Sequence, residues 1–479
     1  MRTRACADKP PLLNRDIYES PLTHRNRLLK IASMNSASSG EPPVADLISV
    51  AQAIRIIDQT SVHPRIVRVP LLEAQGRRLA ADLAADRDYP SFRKALMDGY
   101  AVRCADVSRA PVELACVAEI AAGQAAQRAV EAGEAIAIMT GAPLPAGADG
   151  VVPVEDVETR VKPGQSVRVL RAPMPGRFIA QPGSDCAAGK PVLAAGSMMG
   201  PAQIAVAASI GAAEVNVFAR PRVAVLGTGD ELIPIDQKPG EASIRNSNNP
   251  MLLALLRRLS ADVIDLGFVR DDPELIRQAI ARGMEHDALI ITGGMSMGEY
   301  DFVPKLLIEA GVELKITKLK IKPGKPFVFG IGKAEFQVSG FEFQEKAELD
   351  PTRNLKPETR NPRFIFGLPG NPVSAFVCTI RLASRLLTRM AGGHVEERWL
   401  TGRMDTGLPA NGPREFYQPA IRTVTPGSFS SRSEFASITP LGWKGSADLF
   451  TLAKANVLIV RAENEPAMPK GTVVRVLEM

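Results

Sequence analysis

The sequence predicts a multidomain α/β plus β protein: a doubly wound α/β domain, a β-rich inserted domain and a small C-terminal β-barrel. Three observations predict it. From Pro221 to Ile321, apolar runs of strand length alternate with segments of helical spacing. Between 89 and 174, short β-rich runs are broken by Gly and Pro, and from 396 onward short strands recur. A chain of 479 residues has room for three or four such domains.

Residues 1–43 read as a flexible leader, polar and low in complexity near NSASSGEPP. The leader lacks the continuous apolar core of a signal peptide, and Met34 offers an alternative start. VADLISVAQAIRII, 44–57, has helical spacing and opens the folded part. The runs VELACVAEIAAG, EAIAIMTG and ADGVVPVEDVE make 89–174 a β-rich domain, and PAQIAVAASIGA then returns to helix. In the α/β domain, 219–395, RVAVLGTG, ADVIDLGFV and DALIITGG read as strands of a parallel sheet. Helices fall at NPMLLALLRRLSA, DDPELIRQAIARGM and FVPKLLIEAG; Asp272 is a predicted N-cap with Pro273 at the first helical position. ELKITKLKI is read as one further strand. PFVFGI and RFIFGL frame an insert, 333–362, that is charged and aperiodic. The long helix NPVSAFVCTIRLASRLLTRMAG closes the domain, and EFYQPAIRTV, NVLIVRA and TVVRVLEM supply a barrel over 396–479.

Composition removes several function classes. The net charge is +6, but residues 1–33 hold seven Lys/Arg against three Asp/Glu, so only +2 remains for the rest. With aromatic residues at 5%, neither a basic face nor a stacking platform for nucleic acid is expected. The chain is 45% hydrophobic without an apolar run long enough to span a membrane. Five scattered cysteines and four scattered histidines argue against a disulfide frame, a zinc site or a Ser-His-Asp triad. Cysteines used this way fit a cytoplasmic protein.

The chemistry is expected at the carboxyl ends of the sheet strands. LGTGDEL (226–232), TGGMSMGEYD (292–301) and GLPGNPVS (367–374) all fall there. Their glycines let backbone approach a ligand, and Asn371 with Pro372 reads as the start of a helix whose first N–H groups face an anion. Alone, GLPGNP would be no more than a helix start; agreement among three loops makes it a site. KIKPGKPF (320–327) adds Lys322 and Lys325 on either side of a Pro-Gly turn, two ammonium groups suited to phosphate or another tetrahedral oxyanion. Asp230, Glu231, Glu299 and Asp301 are hard oxygen donors, which suit Mg²⁺ beside phosphate. Asp301 is also placed to cap the helix that follows it.

LMDGYAV (96–102), MTGAPLP (139–145), GTGDEL, IRNSNNPML (244–252), TGGMSMGEYD, KPGKPF, GLPGNPVSA and GSADL (445–449) occur in an order that resembles the molybdopterin molybdenumtransferases, enzymes similar to the E domain of gephyrin. The resemblance runs from about 44 to 479. It implies a molybdopterin-binding α/β domain and an elongated linker domain made from 44–88 and 175–218. It also implies a homodimer that takes adenylylated molybdopterin and molybdate and releases AMP with Mg²⁺, with the upstream molybdopterin adenylyltransferase as a possible partner. By the same resemblance Asp98, Thr140, Glu231 and Asp301 are catalytic, with Asp98 and Thr140 acting across the dimer interface and Asp301 as the metal ligand. Thr228, Asp230, Gly294, Ser296, Lys322, Lys325, Gly370, Asn371, Pro372, Ser374, Arg414 and Ser446 are implied to bind substrate. Two departures stand out: Ala95 and Leu96 precede MDGYA where the family commonly has Ser-Ala, and Gln181 and Pro182 replace arginine. The insert reads as a tolerated surface insertion, since loop length costs little entropy; beside the pocket, a lid is the alternative. A gephyrin-like scaffold without turnover and a tungsten-inserting relative are the competing expectations.

Overall fold

Burial on two faces is what organises the central sheet. In the strand Arg222–Thr228, Val223 and Val225 enter one apolar core while Ala224 and Leu226 enter another, the period of two that a strand imposes. The first core is closed by the helices Asn248–Arg258 and Pro372–Cys378, the second by Pro273–Gly283 and Val303–Glu309. The sheet is therefore doubly wound, as the sequence predicts. A computed structural model of the protein describes residues 47–295, 302–333, 361–424 and 436–479, which lie in the compact unit Ala45–Met479.

Six strands form this sheet, in the order Asp262–Val269, Arg222–Thr228, Ala288–Thr292, Arg363–Leu368, Val328–Gly332 and Glu313–Ile316. The first four are parallel. Val328–Gly332 runs against both its neighbours, so the sheet is mixed rather than wholly parallel. The predicted strand ELKITKLKI also divides: Glu313–Ile316 stays in the sheet, whereas Ile321–Lys322 pairs with Glu415–Thr423 in the C-terminal β structure. That handover brings the Lys-Pro-Gly-Lys turn to the boundary of the two layers.

The reversed strand also relocates the insert. Gly332 pairs with Arg363, so the chain leaves and re-enters at the amino end of the parallel strands, the end where Asp287 accepts from the Arg222 backbone. The insert is thus rooted at the end of the sheet opposite the predicted loops; residues 334–360 themselves, and with them the lid alternative, lie outside the described residues.

The first helix runs Val50–Gln59 and not from 44. Ser49 and Gln52 form a reciprocal capping box, Gln52 N–H to Ser49 Oγ at 3.2 Å and Ser49 N–H to Gln52 Oε1 at 2.8 Å, and this fixes where it begins. Its buried face, Val50, Ala53 and Ile57, packs into the first core of the sheet. Asp272 caps Pro273–Gly283 as expected, accepting from the N–H groups of Glu274 and Leu275 at 2.9 Å each.

Five strands, Gly150–Pro153, Gly99–Val102, Glu134–Ile138, Val112–Ile120 and Ser166–Val169, make the predicted β-rich region. Ile66–Pro70 pairs with Glu214–Phe218, joining the two sequence segments on either side of it. At the C-terminal end Glu415–Thr423, Ser437–Pro440, Trp399–Met404, Val473–Glu478 and Val457–Arg461 close into a barrel, because the last strand pairs back to the first. Among the described residues no helix is long and apolar enough to cross a membrane.

Candidate active site

The carboxyl ends of the parallel strands bring three of the predicted loops together. Gly293 donates its N–H to Leu368 O at 3.2 Å, and a Cβ built on it would sit 2.2 Å from Thr228 O. With φ at +93°, this position excludes an L side chain twice over, by conformation and by contact. Gly294 lies against the Thr228 hydroxyl and Gly370 against Gly293. Thr228 is 4% exposed, and its Oγ1 is shut off without a hydrogen-bond partner. A buried polar atom left unsatisfied at the mouth of a glycine-walled crevice is suited to a ligand.

Asp230 and Glu231 flank the same crevice. Asp230 Oδ1 accepts from Asp271 N–H at 3.2 Å, and the Glu231 carboxylate folds back over Gly229. Asp301 and Ser296 lie outside the described residues, and the N-cap position of the helix expected to be capped by Asp301 falls on Phe302. Among the described residues no three His, Cys, Asp or Glu side chains converge as a metal cluster.

The long helix after GLPGNP runs Pro372–Cys378, passes through a π turn at Thr379–Ala383 and continues as Ser384–Met390. Asn371 occupies its N-cap position, but its side chain makes no capping bond. The expectation that every first-turn N–H faces the crevice is also corrected: Pro372 has none, and Val373 N–H is held by Ser446 O at 3.0 Å. That bond seats the half-buried Ser446 of the GSADL segment at the helix start, beside the buried Ser374. The turn carrying Lys322 and Lys325 packs onto the same helix, since a Cβ on Gly324 would lie 2.6 Å from Cys378 Sγ and 3.9 Å from Ser374 O.

Both lysines are exposed. Lys322 Nζ rests 4.6 Å from the centroid of Phe416, whose ring stacks on Trp443 at 5.7 Å. Pairing of Lys322 with Phe416 sets that contact, and Arg414 reaches Ile321 O from the same strand end at 3.5 Å. Lys322, Lys325, Arg414, Ser374 and Ser446 thus gather around one helix start, next to the Thr228, Gly293 and Gly370 crevice.

Asp98 and Thr140 form a separate pair. Thr140 donates both its N–H and its hydroxyl to Asp98 Oδ1, each at 2.8 Å. The Thr140 backbone N–H first, then its hydroxyl, then Arg160 at 3.6 Å hold the Asp98 carboxyl below its ordinary value. The strand register places the two together, with Gly99 opposite Ile138. The MDGYA glycine is needed for packing, because a Cβ there would be 2.0 Å from Val152 O. Among the described residues the pair's side-chain partners are each other and Arg160, not residues of the sheet crevice.

Asn248 is a crevice residue that the sequence reading left without a role. It is 9% exposed; its Nδ2 donates to Gly370 O at 2.7 Å while its Oδ1 is buried without a partner. The signal was the polar run NSNN at the start of an otherwise apolar helix.

The fold and the crevice define a multidomain α/β protein built to hold an anionic ligand at its strand ends, and comparisons give that class a family. Residues 48–211 match the MoeA N-terminal region (domain I and II), 224–389 a probable molybdopterin binding domain and 401–479 the MoeA C-terminal region (domain IV). A molybdopterin molybdenumtransferase of Nostoc sp. is 31% identical over 420 residues, covering 86% of this chain and 88% of that relative. One from Synechococcus elongatus is 36% identical over 344 residues, 69% of this chain and 77% of the relative. The crystal structure of a molybdopterin biosynthesis MoeA protein from Pyrococcus horikoshii superposes with a TM-score of 0.70 at 27% identity, covering 90% of this chain and 99% of that one. The chain belongs to the molybdopterin molybdenumtransferase family and is a transferase of molybdenum cofactor biosynthesis.

Proposed function

We propose that this transferase inserts molybdate into adenylylated molybdopterin and releases AMP in an Mg²⁺-dependent step, giving molybdenum cofactor in the cytoplasm. The observation that carries the reading is the gathering of Lys322, Lys325 and Arg414 around the helix start at Ser374 and Ser446, against a glycine-walled crevice. Molybdate, the substrate oxyanion, takes the cations and hydroxyls as charge-assisted donors. The unpartnered Thr228 hydroxyl orients the pterin phosphate end, with the glycine walls at Gly293 and Gly294 letting it approach. Hydrolysis adds water across the phosphoanhydride, leaving AMP and the pterin phosphate, and positioning is the main demand on the protein.

The donors fit Mg²⁺, which is content with one or two carboxylates plus substrate phosphate: Asp230 and Glu231 flank the crevice with oxygen ligands. Asp301 would hold the ion, with Asp230 and Glu231 beside it. When bound, Mg²⁺ offsets charge on the phosphoanhydride. Asp98 and Thr140 serve the same chemistry from the second subunit of a homodimer.

The test is AMP release from adenylylated molybdopterin with Mg²⁺, with and without molybdate. Stimulation by molybdate that disappears in Asp301→Asn is expected; tight binding without hydrolysis would leave a scaffold, and equal stimulation by tungstate would leave the metal unassigned. Mixing inactive Asp98→Asn with inactive Glu231→Gln subunits tests the dimer, since a shared site restores activity in roughly a quarter of the sites. No recovery after subunit exchange would place Asp98 and Glu231 in one subunit's site.

A further inference from the structure

A cleft of about 480 Å³ lies away from the crevice, where the Gly76–Arg78 turn, the end of the helix Asn248–Arg258 and the segment 394–398 meet. Seven arginines line it against three glutamates. Most of that charge is already matched. Glu397 accepts from Arg381 and Arg385, Asp58 pairs with Arg385, and Glu478 lies 3.5 Å from Arg398. Arg220 has Asp262 at 3.8 Å and donates from Nη2 to Gln75 O at 3.2 Å.

Among the described residues Arg77, Arg78 and Arg258 have no acid partner, against the single exposed Glu396. Arg78 donates to Gly196 O at 2.9 Å, which orients it without offsetting its charge. The Nε atoms of Arg77 and Arg220 are shut off from solvent, and no group among the described residues accepts from them. Three separate pieces of chain bring these cations together: Arg77 and Arg78 from a turn, Arg220 just before the first sheet strand, Arg258 from a helix end. Ser260 Oγ to Gly76 O at 3.3 Å ties two of those pieces. Packing like charges with unsatisfied donors costs free energy unless an anion completes the set.

We propose that this cleft binds a small phosphate-bearing polyanion, of the size and charge of a nucleoside polyphosphate. The volume lies within the range of small-molecule sites, and guanidinium forks match phosphate oxygens two at a time. The site is independent of the molybdate crevice and of the reaction proposed for it.

Calorimetric titration of the full-length protein with inorganic tripolyphosphate at physiological ionic strength tests this, with molybdate as a second titrant. Saturable tripolyphosphate binding is expected. It should persist in Lys322→Gln/Lys325→Gln and weaken ~10-fold or more in Arg77→Gln/Arg258→Gln, two charge-assisted partners being lost. Arg258→Gln alone, at an exposed and unpaired position, keeps the fold and should show part of the loss. Absence of saturable binding, or binding indifferent to Arg258 and Arg77, overturns the proposal. Tighter binding of molybdate than of tripolyphosphate at the arginine-dependent site overturns the phosphate assignment.

Discussion

Replacing Lys322 by Gln tests whether the lysine turn holds the oxyanion, and the structure sets the size of the effect. A hydrogen bond from a charged donor contributes about 1.5–3 kcal/mol. Lys322 already has an attraction, however, to the Phe416 face at 4.6 Å, which at an exposed position is worth about 0.5–1 kcal/mol. Moving the ammonium from ring to oxyanion gives up that part, so the net loss in Lys322→Gln is about 1–2 kcal/mol. This is a roughly 5- to 30-fold rise in the Kd for molybdate. Phe416→Leu should move affinity the other way by a smaller factor, because the lysine starts unengaged. Folding should change little, the lysine being exposed. Equilibrium dialysis with molybdate, at matched ionic strength, reads both variants. An unchanged Kd in Lys322→Gln would refute the assignment; weaker binding in Phe416→Leu would show that the ring positions the lysine.

The Asp98 carboxyl, depressed chiefly by the Thr140 N–H, contributes stability that is present above its unfolded pKa of about 3.9 and is lost as pH falls through the lower folded value. Thr140→Val keeps the N–H and removes the hydroxyl, so NMR titration should show the Asp98 pKa rising part of the way back; no rise would mean the hydroxyl does not donate. Gly293→Ala should lower stability by at least ~1 kcal/mol in urea denaturation, through its left-handed backbone and the contact with Thr228 O, and neutrality would contradict that geometry. Glu397→Gln leaves Arg381 and Arg385, whose side chains are 11% and 12% exposed, without their shared carboxylate. It should cost about 3 kcal/mol, and a loss under ~1 kcal/mol would show the pair relaxing into solvent. Burial pushes the Cys378 thiol up to about 12, so at pH 8 a thiol reagent should label it only on unfolding, and rapid labelling of native protein would contradict that burial.

The alternation from Arg222 to Glu309 was legible because the central parallel strands Arg222–Thr228 and Ala288–Thr292 are buried on both faces and read as apolar runs, and Asp272 marks a helix start. The reversal at Val328–Gly332 was not. A buried antiparallel strand inside such a sheet has the same apolar run as its parallel neighbours, and direction leaves no mark on composition. That one reversal sets where the insert is rooted, since a hairpin puts its connection at the end opposite to a crossover. Ser49 and Gln52 show the converse: the capping box was present in the sequence, and reading only apolar spacing put the helix start too early.

Site residues divide by the same logic. Those on strand ends, Thr228, Gly293 and Gly370, are located by the sheet, so a correct strand assignment carries them to the crevice. Lys322, Arg414 and Ser446 arrive only because Ile321–Lys322 leaves the sheet for the barrel and because Val373 N–H is satisfied by Ser446 O. These are contacts between distant stretches of chain that no local pattern encodes. The arginine cleft is the extreme case: its cations stand in turns and at a helix end far apart in sequence, where each alone reads as a solvated surface charge. Unpaired guanidiniums become informative only once folding has placed them together and the acids nearby can be assigned to other partners.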